Sequence, residues 1–491
     1  MSSPLESLEP KVLWSHFDGI RQIPRPSKHE EKVAAHIESW AKEKGYEVLK
    51  DATGSLAIKV PATPGHESAP TVIIQGHLDM VCEKNADVDF DFMKDPIDVR
   101  VDGDWVTANG TTLGADNGIG VATALAVADD PDVVHGPLEI LCTIDEETGL
   151  TGAKALDPSI VSGRVMLNLD TEEDGAVYFG CAGGGDTVTT LKVARRRASL
   201  GSVPVRIAVK GLKGGHSGLN IIENRGNAVK MMTRILLASV EQDLELDLVS
   251  LDGGSKHNAI PREAFAVCRL PKDTLDDLRG VVDACRQEFE AEFGSIEPDL
   301  EIQLGEADDS EEMRAVFNQH ARDRLLHLLR TLPHGVLSMS REVEGLVETS
   351  NNVAIVKTAS DAVEVTTSTR SSLMPALEAA RAQIRSAAEL AGGDVEEEES
   401  YPGWKPNPDS PVVQKTVDVY EELFGKRPPL KAIHAGLECG LLIDKVPGLD
   451  AVSIGPEIRN AHSPDEMVQI SSVQRFYEHV KALLKALARE S

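Results

Sequence analysis

The segment "EILCTIDEETG" (139–149) carries an apolar, strand-like run into three acids, Asp145, Glu146 and Glu147, and then a glycine. Two adjacent glutamates at the end of a buried strand either form a solvated strand end or divide two tasks, because neighbouring residues on a strand face opposite sides. Four other segments offer groups of the same kind. "TVIIQGHLDMV" ends an apolar run with His77 and Asp79, two residues apart and therefore on one face of a strand. "NGTTLGADNGIGVATAL" puts Asp116 in a glycine-rich turn ahead of a helix, "RVMLNLDTEE" ends a further apolar run at Asp170, and "IGPEIRNAHSPDE" carries His462 in a loop after "DAVSIG".

Alone, each reads more simply as structure: a strand-end histidine, a helix cap at Asp116 or Asn117, a polar turn. Together, His77, Asp116, Glu147, Asp170 and His462 make two imidazoles and three carboxylates. That donor set suits zinc, with manganese or cobalt as substitutes. Five donors exceed what one tetrahedral zinc needs, and they fit two ions that share one carboxylate and one water, as in two-metal hydrolases. Charge agrees, since three carboxylates and one deprotonated water match two divalent cations. One glutamate is then left to take a proton from the water and pass it to a leaving amine. Spacing leaves open which of Glu146 and Glu147 binds metal and which moves protons. Asp79 is placed to accept the other ring N–H of His77, and the glycines around Asp116 would let the backbone pass close to an ion.

These groups need a scaffold to converge. "EEKVAAHIESWAKEKG" has helical periodicity and stops at a glycine. Strands are expected at "SLAIKV", "TVIIQG", "LEILCTI" and "RVMLNLD", with a helix at "GIGVATALAVADD". The alternation predicts an α/β domain with a mainly parallel sheet, in which functional groups gather beyond the carboxyl ends of the strands. The rhythm changes near residue 187: strand, helix, strand, strand, with a partial recurrence after residue 340 that suggests an internal structural repeat without residue identity. "DVEEEES" (394–400) reads as a solvated strand edge or connector, after which "SPVVQKTVDVYEELFG" and "SSVQRFYEHVKALLKALA" resume helices of the first kind. The expected organisation is a first domain in two parts, 1–186 and 400–491, interrupted by an α+β insertion over 187–399.

A chain of 491 residues is too long for one core and predicts two or three domains. The net charge of −30, from 80 acids against 50 bases, argues against nucleic acid or an anionic membrane as partner, since both need a basic surface. Six scattered cysteines without a CxxC pair read as buried thiols. "MSSPLESLEPKVLWSHF" has neither a basic nor an apolar leader region, and no run is long enough to span a bilayer, so a cytoplasmic location is expected.

"GHLDMV", "GADNGIG", "DEETGLTGA", "LNLDTEE" and "NAHSPDE" resemble the metal-binding segments of the aminoacylase/carboxypeptidase-type di-zinc metallopeptidases, and most closely those of the aminoacyl-histidine (Xaa-His, carnosinase-like) dipeptidases. The resemblance runs from the first helix past His462. It implies His77 and Asp170 on one zinc, Glu147 and His462 on the other, and Asp116 bridging, with Asp79 orienting His77 and Glu146 as general base. It also implies that the insertion is a lid and dimerisation domain; relatives with a single-unit lid have about half that length. In "KGLKGGHSGLN", His216 reads by default as a turn histidine, but the resemblance implies that it polarises the scissile carbonyl, usually in the partner subunit's site. Asn258, Arg370 and Gly436 match positions that contact substrate, and an arginine fork suits a terminal carboxylate. The expectation is a homodimeric di-zinc dipeptidase acting on short unblocked dipeptides. An N-acyl amino acid deacylase or tripeptidase is the nearest rival, and a non-catalytic metal-dependent scaffold a more distant one.

Overall fold

Four apolar runs lie side by side and run parallel in the order Leu138–Thr143, Val72–His77, Val165–Asn168 and Asp450–Ser453. They are buried almost throughout, as strands covered on both faces must be. The structure, a computed structural model, describes residues 3–489. The four strands form the centre of an eight-stranded sheet. One flank adds Leu56–Val60 and then Glu47–Lys50, both antiparallel. The other adds Val177–Cys181, antiparallel, and then Leu430–Ile433. The parallel character expected from the sequence therefore belongs to the centre, where it sets His77, Thr143, Asn168 and Ser453 along one edge.

The chain divides into two units. The first takes the chain up to Cys181, then Trp404–Ala432, then Leu437 onward; the second is Ala182–Gly403 with Ile433–Gly436. In the first, the helix Ala115–Asp129 is built of Ala, Gly and Val and is buried on nearly every face, so it lies inside the fold. The helix Lys11–Arg21 turns Leu13, Trp14, Phe17 and Ile20 inward and packs against it. Pro411–Phe424 starts on a Ser410 cap that accepts the Val413 N–H at 3.2 Å and stops at Gly425, φ 68°. It packs against Ile470–Leu487. A small sheet, Ile458–Arg459, Met467–Gln469, Trp105–Ala108 and Val99–Asp102, was not anticipated. Its strands are two to four residues long and its central pair joins distant parts of the chain.

The second unit is built on a nine-stranded sheet. Ser202–Lys210, Ala228–Glu241, Asp247–Gly253, Ala264–Pro271, Leu275–Phe293 and Glu301–Glu306 form one β-α-β-β-α-β half, with its strands in spatial order 4-1-3-2. Gly183–Lys192, Gln319–Thr331, Val347–Thr358, Ala362–Ser371, Met374–Leu390 and Asp394–Glu397 form a second, in the mirrored order 2-3-1-4. The halves meet where Gly253 pairs with Val356. The repeat suspected in the sequence is therefore present as topology, with the first half inserted between the first strand and first helix of the second. "DVEEEES" supplies the edge strand Asp394–Glu397. Among the described residues no helix is long and apolar enough to cross a membrane, and all six cysteines are free thiols.

Candidate functional site

The carboxyl edge of the parallel strands delivers most of the predicted groups. His77 is the last residue of its strand, and Asp170 lies two past the end of Val165–Asn168. The strand Leu138–Thr143 stops before the acidic run. Asp145 turns the chain with φ 49°, and Glu146–Gly149 is a single helical turn. The opposite-face argument for Glu146 and Glu147 therefore does not hold. Adjacent residues on a helix are about 100° apart, and both carboxylates come within 4.8 Å of a His77 ring nitrogen. Asp145 is structural: its carboxylate accepts the hydroxyls of Thr148 and Thr151.

Asp116 sits at the middle of the group. Its Oδ1 is 3.1 Å from His77 Nε2 and its Oδ2 is 3.2 Å from His462 Nε2. His77 Nε2 is also 3.3 Å from Asp170 Oδ1, and His462 Nε2 is 3.0 Å from Glu147 Oε2. Two donor sets thus share one carboxylate. Among the described residues Glu147 Oε1 is buried without a hydrogen-bond partner, and the buried Asp170 Oδ1 has the His77 ring at 3.3 Å. Orphaned buried carboxylate oxygens need a cation to satisfy them, so the residues present fit a metal.

Asp79 is fully buried and holds several parts at once. It lies 3.3 Å from His77 Nδ1 and accepts the N–H groups of Glu146 (3.0 Å) and Glu147 (3.2 Å) and the Ser27 hydroxyl (2.8 Å). Neither Asp116 nor Asn117 caps the following helix; the Asn117 amide donates to the Leu169 carbonyl at 2.7 Å instead. The glycines of this turn serve a different neighbour than expected. Gly114 has φ 70°, and a Cβ there would stand 2.5 Å from the Arg25 guanidinium and 2.8 Å from Met80 Sδ. They let the backbone close onto a buried arginine.

The electrostatics follow from crowding acids and imidazoles together. Burial opposes charge on His77, but Asp170, Asp116 and Asp79 outweigh it and hold the imidazolium well above its ordinary pKa. Hydrogen bonds to Asp116 and Glu147 raise His462 to about 11. Burial would raise Asp116, but His462 and His77 hold it below the usual carboxylate range. Burial pushes Asp170 up to about 6 against the pull of His77. Glu146 is pushed well above the ordinary value by burial, with His77 opposing and Asp170, Glu147 and Glu438 reinforcing.

The remaining predicted residues belong to the second unit. His216 Nδ1 accepts the N–H groups of Gly218 (3.2 Å) and Leu219 (3.1 Å), which leaves the proton on Nε2. Burial, then Arg370 and His257, lower its pKa to about 4, so the ring is a neutral N–H donor. Arg370 is 7% exposed and bonds the Ser217 hydroxyl at 3.4 Å and the Tyr401 hydroxyl at 3.3 Å; among the described residues no carboxylate lies within ion-pair distance of it. The Asn258 carbonyl accepts the Ser217 N–H at 2.8 Å. Gly436 packs under Tyr401, where a Cβ would stand 3.2 Å from the ring.

Sequence reasoning missed four residues of the first unit. Glu172 brings a carboxylate within 4.8 Å of Asp116 and His462; among the described residues its side chain makes no hydrogen bond or ion pair, and burial, reinforced by Asp116 and Asp170, pushes it up to about 8. It lies inside "LNLDTEE", two past Asp170, where the spacing was a signal. Glu438 is fully buried and accepts from Gln75 Nε2 and Thr143 Oγ1, each at 2.6 Å. Gln75 continues through Asn168 to Ser453, a polar chain across the parallel strands just behind the ligands. Arg25 and Glu466 flank the Asp116 turn; Glu466 closes the segment "NAHSPDE" that carries His462, whereas nothing in the local pattern marks Arg25.

Comparison with known proteins bears on the same residues. The model of a family described as Peptidase family M20/M25/M40 matches residues 73–489. The chain is 43% identical over 485 residues to the cytosol non-specific dipeptidase of Escherichia coli (strain K12), covering 99% of each chain. It superposes on the crystal structure of aminoacylhistidine dipeptidase from Vibrio alginolyticus with a TM-score of 0.91 at 45% identity, covering 99% of this chain and 98% of that one. A more distant likeness, to aminopeptidase PepT from Bacillus cereus (TM-score 0.57, 16% identity, 98% of this chain and 100% of that one), reflects fold alone.

Proposed function

The chain belongs to peptidase family M20/M25/M40 and is a metallopeptidase with dipeptidase activity, and we propose that it cleaves short unblocked dipeptides, Xaa-His among them, at a centre of two divalent ions. The observation that carries this reading is Asp116, whose two carboxylate oxygens each face a different histidine. His77, Asp170 and Asp116 would hold one ion; Glu147, His462 and Asp116 would hold the other. Zinc suits the donors, and manganese or cobalt can replace it. When bound, the ions supply Lewis acidity to a water and to the peptide carbonyl.

The chain's own groups do the rest. Glu146, whose carboxyl is held above the ordinary range, takes the proton of the attacking water and delivers it to the leaving amine. Asp79 fixes the His77 ring and the backbone of both glutamates. The His216 Nε2–H donates to the carbonyl oxygen as it gains charge. Arg370, Asn258 and the Gly436 N–H bind the backbone and terminal carboxylate of the dipeptide. Glu172, beside Asp116 and His462 with its carboxyl pushed up to about 8, becomes the partner of the substrate's free ammonium, whose positive charge draws it to the ionised form. That feature favours unblocked dipeptides over the N-acyl substrates of a deacylase. A panel of dipeptides, their N-acetylated forms and tripeptides separates the three activities.

The name of the Escherichia coli relative supports a cytoplasmic location. We take the second unit as a lid and dimerisation domain, with His216 of one subunit acting in the site of the other. A second reading rests on the duplicated sheet of that unit: one chain already contains two joined halves, so His216 would act within its own chain. The central test is metal dependence. Chelated protein is expected to be inactive and to recover with Zn2+, Mn2+ or Co2+ at two ions per chain. Full turnover by protein with verified zero metal content would defeat the proposal.

A further inference from the structure

Four residues past His462, the second histidine that faces Asp116, lies a carboxylate whose partners are backbone amides. Glu466 is 2% exposed, and both of its oxygens are spent on one short stretch of backbone. Oε2 accepts the N–H groups of Leu113 at 2.7 Å and Gly114 at 2.9 Å. Oε1 accepts those of Ala115 at 2.8 Å and Asp116 at 3.3 Å. Four consecutive amides therefore converge on one side chain, and hydrogen bonds to an ionised acceptor are the stronger kind.

The opposite side of the turn is held by the opposite charge. Arg25, also 2% exposed, donates to the Gly114 carbonyl and reaches the Leu78 carbonyl at 2.9 Å and the Asp79 carbonyl at 2.6 Å. Gly114 has no side chain to obstruct it. Glu466 is anchored in turn: its carbonyl accepts the Thr107 hydroxyl at 3.0 Å, and the following strand Met467–Gln469 pairs with Trp105–Ala108. The segment that carries His462 and the turn that carries Asp116 are thus joined through Glu466. The turn that carries Asp116 and the strand end that carries His77 are joined through Arg25.

We propose that Glu466 is a positioning residue that sets Asp116 against His462, with Arg25 setting the same turn against His77, so that the relative affinities of the two ions depend on it. The inference rests on the reading that these residues hold metal. Glu466→Gln keeps the shape but replaces one acceptor oxygen with an NH2 that faces amide donors. The ion held by Glu147, His462 and Asp116 then loses two of its ligands' alignment, whereas the ion held by His77, Asp170 and Asp116 loses one. Residues that orient metal ligands typically cost 10- to 100-fold in affinity when changed.

The experiment is stepwise binding of Co2+ by full-length protein in competition with a chelator, with the visible cobalt spectrum and the melting temperature of the metal-free protein recorded alongside. For Glu466→Gln, the ratio of the two stepwise affinities is expected to change about tenfold or more, with a changed cobalt spectrum. Glu466→Asp, which keeps the charge, should recover part of the difference. Should Glu466→Gln fail to fold, Arg25→Lys loosens the same turn from its other side and is expected to shift the affinity ratio as well. An unchanged ratio, or an equal loss at both ions that merely follows the melting temperature, would overturn the positioning role. Wild-type protein that binds fewer than two ions would instead overturn the metal reading beneath it.

Discussion

Glu146 and Glu147 share one helical turn and one chemistry, and their surroundings separate them. Glu147 Oε2 meets His462 at 3.0 Å while its other oxygen is buried and unsatisfied, which is the condition of a ligand. Glu146 has its carboxyl raised by burial among other acids and, among the described residues, is bonded by no imidazole, which is the condition of a proton carrier. Glu146→Gln is therefore expected to lower turnover by about 10²-fold or more with metal content intact. Glu147→Ala should instead lower metal occupancy. Measuring both metal content and kcat for each variant checks the assignment, and the reverse pattern would exchange the two roles.

At the scale of elements, the packing of Ile470–Leu487 on Pro411–Phe424 contains a pH-sensitive contact. His479 Nε2 donates to the Thr416 carbonyl at 3.0 Å, and its ring stands edge-on to Tyr420 at 5.1 Å. Burial lowers its pKa to about 4 despite that hydrogen bond. The folded chain holds this ring neutral, while the unfolded chain protonates it near pH 6.5, so between those values the unfolded state binds more protons. Stability from this group is complete above about pH 6.5 and is lost as pH falls toward about 4, with a slope of about 1.4 kcal/mol per pH unit inside the window. His479→Gln keeps a donor for Thr416 without the titration. Urea midpoints of the variant should fall less steeply than wild type between pH 6.5 and 4.5; parallel curves would show that the ring carries no such linkage.

The whole molecule raises the question of which chain His216 serves. If it acts in the partner's site, Glu146→Gln and His216→Ala are each nearly inactive but complement one another. At full exchange of equal amounts, half the dimers are mixed and each has one intact site of two, so roughly a quarter of wild-type activity returns for independent sites. If the duplicated sheet lets each chain use its own His216, mixing restores nothing, because no chain carries both groups. Activity measured after demonstrated subunit exchange decides between them.

What the sequence determined by itself was local. Metal-ligand candidates were legible because each combines a chemically committed residue with an apolar strand or a glycine turn beside it, and strand and helix periods need only a few neighbours to read. His77, Asp116, Glu147, Asp170 and His462 come together where the carboxyl ends of parallel strands were expected to gather them. Tertiary structure alone decided what depends on distant partners. Glu466 gains its meaning from amides some 350 residues earlier, and Arg25 from carbonyls of two loops. The mirrored halves of the second unit emerge only from strand order, since one half interrupts the other in the chain. The helical turn at Glu146 replaced an expected strand end because Asp79 and Glu30 capture its backbone N–H groups, bonds that no local periodicity encodes.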